Sequence, residues 1–403
     1  MQKTNIFSKA AARIVSLILA GTLAVSAVCT GVMGSSTPAV SAQTPQTSTT
    51  AAAVESGAFA PTDFVMNVGA DQTELNFVWY DTTSTPDTLV FNGTNYTAST
   101  EAASRAGYTI NKVTITGLEE NTTYQYYIQN GSEKTDTYTY TTGDFTENGL
   151  DIAVVGDPQI GAGGNNASDT EGWNKTLDQI TADGVDYDFL FSMGDQINTY
   201  YNGSNGYAVE AEYDGYLSSD VWKSLPMQML VGNHDNGNDS SLYVEHFETP
   251  NMSEYGQSYG DDGDYYFTYN GILFMVLNTS NTSAAEHKAF MEDAMAKNPD
   301  AQWNIVAFHK SIYSVASHVT ESDIITLRNG LAPIFNELGI DLVIQGHDHV
   351  YARSYIMGGE SGMDAQITDE TAQGDRDMTT GTPEFTDPDP GSKNHGEPKR
   401  NSP

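Results

Sequence analysis

The sequence predicts a layered α/β protein preceded by an antiparallel β-sandwich, and three observations carry that expectation. Between Phe64 and Thr142 apolar residues alternate singly, as at Leu75, Phe77 and Trp79, with turn-formers between the runs. After Gly149 the pattern changes to short continuous apolar runs separated by stretches of helical period. Five of those runs end in a polar motif rich in Gly, Asp and His.

The 403 residues exceed one average core, so two domains with extensions are expected. Lys3, Lys9 and Arg13 precede an apolar run over 14–33, and Val40-Ser41-Ala42 offers the small residues of a cleavage site. Residues 1–42 therefore read as an export signal. A lipid anchor at Cys29 is the weaker reading, because Val28 fills a position where a small residue is wanted. No second apolar run approaches membrane-spanning length, so the mature chain is expected to be secreted, soluble or associated with the cell wall. Cys29 is the single cysteine and leaves with the signal, so core packing must stabilise the protein without disulfides. Cleavage removes three basic side chains and no acidic one, taking the formal charge from −36 to −39. Such a chain repels nucleic acid and anionic lipid, which excludes both as expected partners.

Residues 43–58 are rich in Thr, Ser, Pro and Ala and read as a flexible linker. The sandwich is expected over 59–146, where Val113 and Ile115, then Tyr138 and Tyr140, continue the alternation and Asn92-Gly93 and Asn130-Gly131 mark turns. Its tyrosines read as cross-strand packing rather than a carbohydrate-binding face. The α/β domain is expected over 147–357, with strands at 152–155, 189–193, 227–231, 272–277, 305–308 and 342–344. Trp173, Leu177 and Ile180 share one helical face, and Leu327, Leu331, Ile334, Phe335 and Leu338 share another. Residues 265–280 predict a hairpin turning at Asn270-Gly271, which makes the sheet mixed. Asp261-Asp262-Gly263-Asp264 lacks the spacing of an EF-hand and is expected as an exposed turn. Residues 358–403 form a polar tail that can bury little.

The five motifs are Gly156-Asp157-Pro158-Gln159, Gly194-Asp195-Gln196, Gly232-Asn233-His234-Asp235, Phe308-His309-Lys310 and Gly346-His347-Asp348-His349. In layered α/β folds the loops after the strands converge on one edge, so these distant groups can meet. A carboxylate can bridge two cations, a neutral imidazole offers one nitrogen, and an amide oxygen adds a ligand without charge. Asp157, Asp195, Asn233, His309, His347 and His349 therefore read as ligands for two divalent cations. Any one motif alone would be a turn or a core histidine, but five of the chain's eight histidines fall in or beside this ordered set.

The motifs, above all Gly346-His347-Asp348-His349-Val350-Tyr351-Ala352-Arg353-Ser354, resemble those of the calcineurin-like metallophosphoesterases and, within them, the purple acid phosphatases. Leu118-Glu119-Glu120-Asn121-Thr122-Thr123-Tyr124 resembles the tyrosine-corner segment of fibronectin type III domains, which that branch places before its catalytic domain. The resemblance covers about 59–357 and implies a four-layer αββα catalytic domain with mixed sheets. It implies Asp157 and His349 on one ion, Asn233, His309 and His347 on the other, and Asp195 bridging them, the ions being Fe, Zn or Mn. His234 would contact phosphate, and His318, nine residues after His309, would protonate the departing alcohol. The activity implied is hydrolysis of phosphate esters by a hydroxide activated between the ions, of the acid phosphatase kind. The alternatives are a phosphodiesterase or nucleotidase, and a catalytically inactive secreted binding or adhesion protein.

Two departures qualify the resemblance. The family's tyrosine three residues after the bridging aspartate is Asn198 here, which predicts no purple colour and a weaker demand for ferric iron unless Tyr200 or Tyr201 reaches the ion. The family's histidine two residues after the first aspartate is Gln159 here, so the first ion is expected to be held more loosely. Gln159 and Asn198 remain additional candidate ligands. The family also continues with strands after its last histidine motif, and the sequence beyond 357 is a poor source of them, so the catalytic domain is expected to be incomplete at its carboxyl end.

Overall fold

The computed structural model describes residues 15–16, 57–145, 150–200, 204–236, 241–258 and 262–354. The expected signal apart from 15–16, most of the linker and the tail lie outside the described residues. A two-residue strand, β1 (Val15–Ser16), is followed by the strands of the sandwich: β2 (Thr62–Val68), β3 (Glu74–Asp81), β4 (Thr88–Phe91), β5 (Thr94–Thr97), β6 (Ser99–Ala102), β7 (Thr109–Thr116), β8 (Thr123–Asn130), β9 (Glu133–Lys134) and β10 (Tyr138–Thr141). The strands β2-β3-β7-β6 form one face and β10-β8-β4-β5, with β9 beside β8, the other. Phe64, Phe77, Trp79, Phe91 and Tyr126 fill the space between them. The hairpin β4–β5 turns at Asn92 and Gly93, whose φ angles of 48° and 79° give the left-handed turn that matches strand twist. Tyr124 is buried, and its phenol oxygen accepts the Glu119 backbone N–H at 2.7 Å, fixing the corner that leads into β8. In β3 the alternation buries both faces: Leu75, Phe77 and Trp79 enter the sandwich, while Val78 and Tyr80 enter the α/β core.

The second half contributes β11 (Ile152–Val155), α1 (Asn166–Ala182), β12 (Phe189–Ser192), α2 (Gly206–Tyr216), β13 (Met227–Met229), α3 (Asn233–Asn236), α4 (Ser241–His246), β14 (Tyr265–Tyr269), β15 (Ile272–Leu277), α5 (Ala284–Lys297), β16 (Trp303–Phe308), α6 (Ser322–Leu338) and β17 (Leu342–Gln345). One sheet has the order β1-β11-β12-β13-β2-β3-β7-β6, so the sandwich continues a sheet of the α/β half. The two meet where Met227 pairs with Asn67, whose buried amide donates to the Met227 carbonyl at 3.4 Å and accepts the Glu248 N–H at 3.0 Å. The other sheet is β14-β15-β16-β17, with β14 antiparallel and the rest parallel. Its hairpin turns at Asn270 and Gly271, with φ of 47° and 78°.

The sheets face each other across Phe189, Phe191, Phe267 and Phe274. The far face of the first is covered by Trp173, Leu177 and Ile180 of α1, and that of the second by Phe290 of α5 and Leu327, Leu331 and Phe335 of α6. The layering is therefore αββα, as an amphipathic helix on each outer face requires. Asn165 caps α1 by accepting the Ser168 N–H, and Gly339, at φ 69°, ends α6.

The segment expected as an exposed turn is buried instead. Asp264 Oδ2 lies 2.7 Å from Nδ1 of the buried His287, and Asp264 Oδ1 accepts the Asn278 N–H at 2.8 Å. Asp262 is buried too and accepts the Asn278 amide at 3.0 Å, so these carboxylates anchor loops where no local spacing announced it. Asp261 lies outside the described residues. Among the described residues no helix is long and apolar enough to cross a membrane.

Tyr124→Phe keeps the ring and removes the acceptor for the Glu119 N–H. It should lower stability by about 1 kcal/mol, read as a shifted urea midpoint with an unchanged slope.

Candidate metal centre

The strand order explains why the five motifs meet. β11, β12 and β13 are parallel neighbours, β16 and β17 are parallel neighbours in the facing sheet, and each motif follows the carboxyl end of one of them. The connecting backbone is tightly folded: Asp157, Gln159, Asp195, His347 and His349 have φ between 40° and 72°. Asp and His tolerate this left-handed region better than most residues, at a cost of about 1 kcal/mol or more each. Gly194, at φ 91°, is required twice over, since a Cβ there would lie 2.6 Å from His309 Nδ1.

His309 stands at the centre and is buried. Its Nδ1–H donates to the Met193 carbonyl at 2.7 Å, which turns Nε2 toward the other motifs. Around that nitrogen lie Asn233 Oδ1 at 3.1 Å, His347 Nδ1 at 3.1 Å, Asp195 Oδ2 at 3.2 Å and Asp157 Oδ1 at 3.9 Å. One imidazole proton can serve only one of these acceptors, whereas a cation can satisfy them together. Donors held at about 2.1 Å by one ion stand about 3 Å from each other, which the separations to Asn233, His347 and Asp195 match while Asp157 lies further out. His349, with a half-exposed side chain, brings Nε2 to 3.5 Å from Asp157 Oδ1 and marks a second position beside Asp157 and Asp195. The donor set therefore fits a centre that would hold two cations.

The remaining candidates surround this set. The His234 backbone N–H donates to Asp195 Oδ1 at 2.9 Å, and its ring Nδ1 is held by the Asn198 carbonyl at 2.5 Å. Asn198 thus takes part through its main chain. Gln159 points its amide nitrogen at Asp195 Oδ2, 3.1 Å away, so it orients the carboxylate from the donor side. The His318 ring lies over that of His347, with centroids 3.9 Å apart, and its Nδ1 is held by Glu321 at 2.7 Å. His318, Glu321 and His347 also bring donor atoms within 4.8 Å of one another. The two rings are tilted at 34° to each other.

Three further carboxylates hold the loops, and single-residue reasoning passed over them. Asp235 is buried and accepts the backbone N–H groups of Asp195, Gln196 and Gly232 at 2.7, 2.9 and 2.8 Å. Glu212 of α2 accepts those of Asn198 and Thr199 at 3.0 and 2.8 Å. Asp348 accepts the Ser314 hydroxyl at 2.9 Å and the Val315 N–H at 3.0 Å, tying the His318 loop to the His347 loop. The available signal was an acidic residue inside a motif or inside the apolar face of a helix, where only a buried partner accommodates it.

Burial disfavours the His309 imidazolium, but Asp195 and Asp157 outweigh it and push its pKa up to about 9. Burial, together with the charges of His309 and His318, pushes His347 down to about 3. Burial also opposes ionisation of Asp195, yet His309 and His234 hold it well below the usual carboxylate range. One proton on His309 thus does part of a cation's work and must leave when an ion binds.

Mn²⁺ binding to chelator-treated protein should therefore tighten as pH rises from 6.5 toward about 9 and then level off, with a proton released at neutral pH. Titrations in buffers of different ionisation enthalpy would show it, and a pH-independent affinity would remove His309 from the ligand set. Asp235→Ala strands three buried N–H groups and should destabilise the fold by about 3 kcal/mol or more, measured by thermal melting, with metal uptake lost.

Residues 150–351 match the family model described as calcineurin-like phosphoesterase. The proteins MT2654 and Rv2577 of Mycobacterium tuberculosis are each 26% identical to this chain over 180 residues, 39% of this chain and 34% of theirs. The chain thus spans about a third of the length of the curated relatives it matches. Among solved structures, purple acid phosphatase PPD1 from yellow lupin (Lupinus luteus) seeds aligns with a TM-score of 0.53 at 16% identity, covering 72% of this chain and 58% of that one. PhoD aligns with a TM-score of 0.52 at 13% identity, covering 78% of this chain and 76% of that one. At these identities the likeness is one of fold. The family model matches half of the sequence and takes in every residue of the donor set, so the chain belongs to the calcineurin-like phosphoesterase family.

Proposed function

We propose that this protein hydrolyses phosphate esters, phosphomonoesters before diesters, at a two-ion centre held by Asp157, Asp195, Asn233, His309, His347 and His349. The observation that supports this most is the crowding of four acceptor atoms around His309 Nε2 with histidines on either side. A pair of cations there would supply Lewis acidity toward phosphoryl oxygens and make water a nucleophile near neutral pH. The chain's own groups do the rest. The Asn198 carbonyl fixes the His234 ring through Nδ1, which leaves Nε2 near Asp195 and Tyr200, where a phosphoryl oxygen would arrive. Glu321 holds Nδ1 of His318 and leaves Nε2 to give a proton to the departing alkoxide. We read the ions as Fe, Zn or Mn, with no tyrosinate colour, because Asn198 stands where the purple enzymes carry tyrosine. We also read the sandwich as fibronectin type III-like, supported by the Tyr124 contact, and the protein as secreted, supported by the signal pattern over 1–42.

Asp195→Ala should abolish turnover of p-nitrophenyl phosphate while circular dichroism stays unchanged. His318→Ala should slow alkyl phosphates about 10²-fold or more but p-nitrophenyl phosphate far less, because a good leaving group needs no proton. Faster turnover of bis-p-nitrophenyl phosphate than of the monoester would move the reading to a phosphodiesterase. Absence of both stoichiometric metal uptake and hydrolysis of either ester would point to a binding or adhesion protein.

A further inference from the structure

Tyr200 stands five residues after Asp195 and is one of the two tyrosines that the sequence allowed to reach the ion. Its ring lies nearly parallel to that of His234, with centroids 4.5 Å apart and planes at 15°. Its phenol oxygen is 3.2 Å from Asn233 Nδ2 and 3.4 Å from His234 Nε2. The backbone beneath is fixed, since Thr199 donates to Glu212 through both its N–H and its hydroxyl, and Asn205 donates to the Tyr200 carbonyl at 2.9 Å. The ring is 46% exposed, so packing alone does not demand an aromatic there.

The chemistry of Asn233 explains what such a hydroxyl can do. An asparagine has two ends of nearly equal size, an oxygen that can ligate a cation and an NH₂ that a cation repels. Nothing in the amide itself selects the productive end. With Nδ2–H donated to Tyr200, Oδ1 is turned inward, and it lies 3.1 Å from His309 Nε2 among the other acceptors. We infer that Tyr200 is the positioning residue of the metal centre: its phenol oxygen accepts the Asn233 amide and so presents Oδ1 to the second ion. The phenol proton is not used in that contact, and with the oxygen 3.4 Å from His234 Nε2 it is available to a phosphoryl oxygen when substrate arrives. This inference rests on the two-ion reading above.

The test uses the full chain, stripped with chelator and titrated with Mn²⁺ by calorimetry. Wild type should take up two equivalents. Tyr200→Phe, which keeps the stacked ring and loses the hydroxyl, should weaken one equivalent about tenfold and leave the other unchanged. The same substitution in an Asn233→Asp background should change affinity less than about twofold, because a carboxylate has no wrong end. Circular dichroism of each variant checks the fold, which the half-exposed position of Tyr200 should preserve. Equal affinities in wild type and Tyr200→Phe overturn the inference while leaving two-ion binding intact. A tenfold loss that persists in Asn233→Asp also overturns it, since the hydroxyl would then act independently of the amide. A visible charge-transfer band in the ferric form that vanishes in Tyr200→Phe overturns it by making the phenolate a ligand. Wild type that takes up no metal overturns this inference and the two-ion reading together.

Discussion

The buried carboxylate of Asp235 is the constraint on which the rest of the edge depends. It gathers the N–H groups of Asp195, Gln196 and Gly232, so the loops after β12 and β13 share one anchor. Without it, three donors would be left in a space that water does not reach, and the segments carrying Asp195 and Asn233 would be left joined, beyond the strand pairing, by contacts such as that of the His234 N–H on Asp195 Oδ1. The left-handed backbone at Asp157, Asp195, His347 and His349 is tolerated because such contacts over-determine it. The His347 N–H adds to this by donating to both oxygens of Asp157 at 3.0 Å, which joins the two facing sheets at the same edge. Strain and anchoring act together here, and before any ion arrives the protonated His309 faces the carboxylates of Asp195 and Asp157.

The sandwich is tied to that edge through α2. On one side of this helix Glu210 forms a fully buried pair with His246 at 3.0 Å, enclosed by the rings of Tyr80 and Tyr213. Asp214 on the same helix is bound by Arg105 of the sandwich at 2.6 Å, and Arg105 also reaches Asp63. Glu212, between them in sequence, holds the loop that follows Asp195. A buried pair such as Glu210–His246 contributes little net stability, but removing one member leaves the other desolvated and costs about 3–5 kcal/mol. The helix is thus fixed in register on both sides, and the sheet that passes from β13 into β2 fixes the strands in the same way. The tyrosines of the sandwich serve this packing: Tyr126 closes its own core and donates its hydroxyl to the Lys223 carbonyl at 2.7 Å.

Much of this was legible in the sequence because local chemistry announced it. Asn92-Gly93 and Asn270-Gly271 turn as their positive φ angles require, and Trp173, Leu177 and Ile180 bury the face that their spacing defines. The residues of the donor set were legible because Gly, Asp and His at strand ends are costly choices without a use. What escaped were partners made across long separations. Asp262 and Asp264 looked like a solvent turn, because their acceptor roles toward Asn278 and His287 depend on strands that pair only in the fold. Glu212 and Asp348 escaped for the same reason.

By itself, then, the sequence determined the main strands, the two outer helical faces of α1 and α6, the Asn-Gly turns and the candidate ligand types, since each of these follows from periodicity or from the chemistry of neighbouring residues. Tertiary structure alone decided which further carboxylates hold backbone N–H groups, that the two halves share one sheet, and that Tyr200 rather than Asn198 presents its side chain to Asn233. The physical reason is that an acidic or polar side chain takes its meaning from what it faces, and facing is set by the packing of segments far apart in the chain.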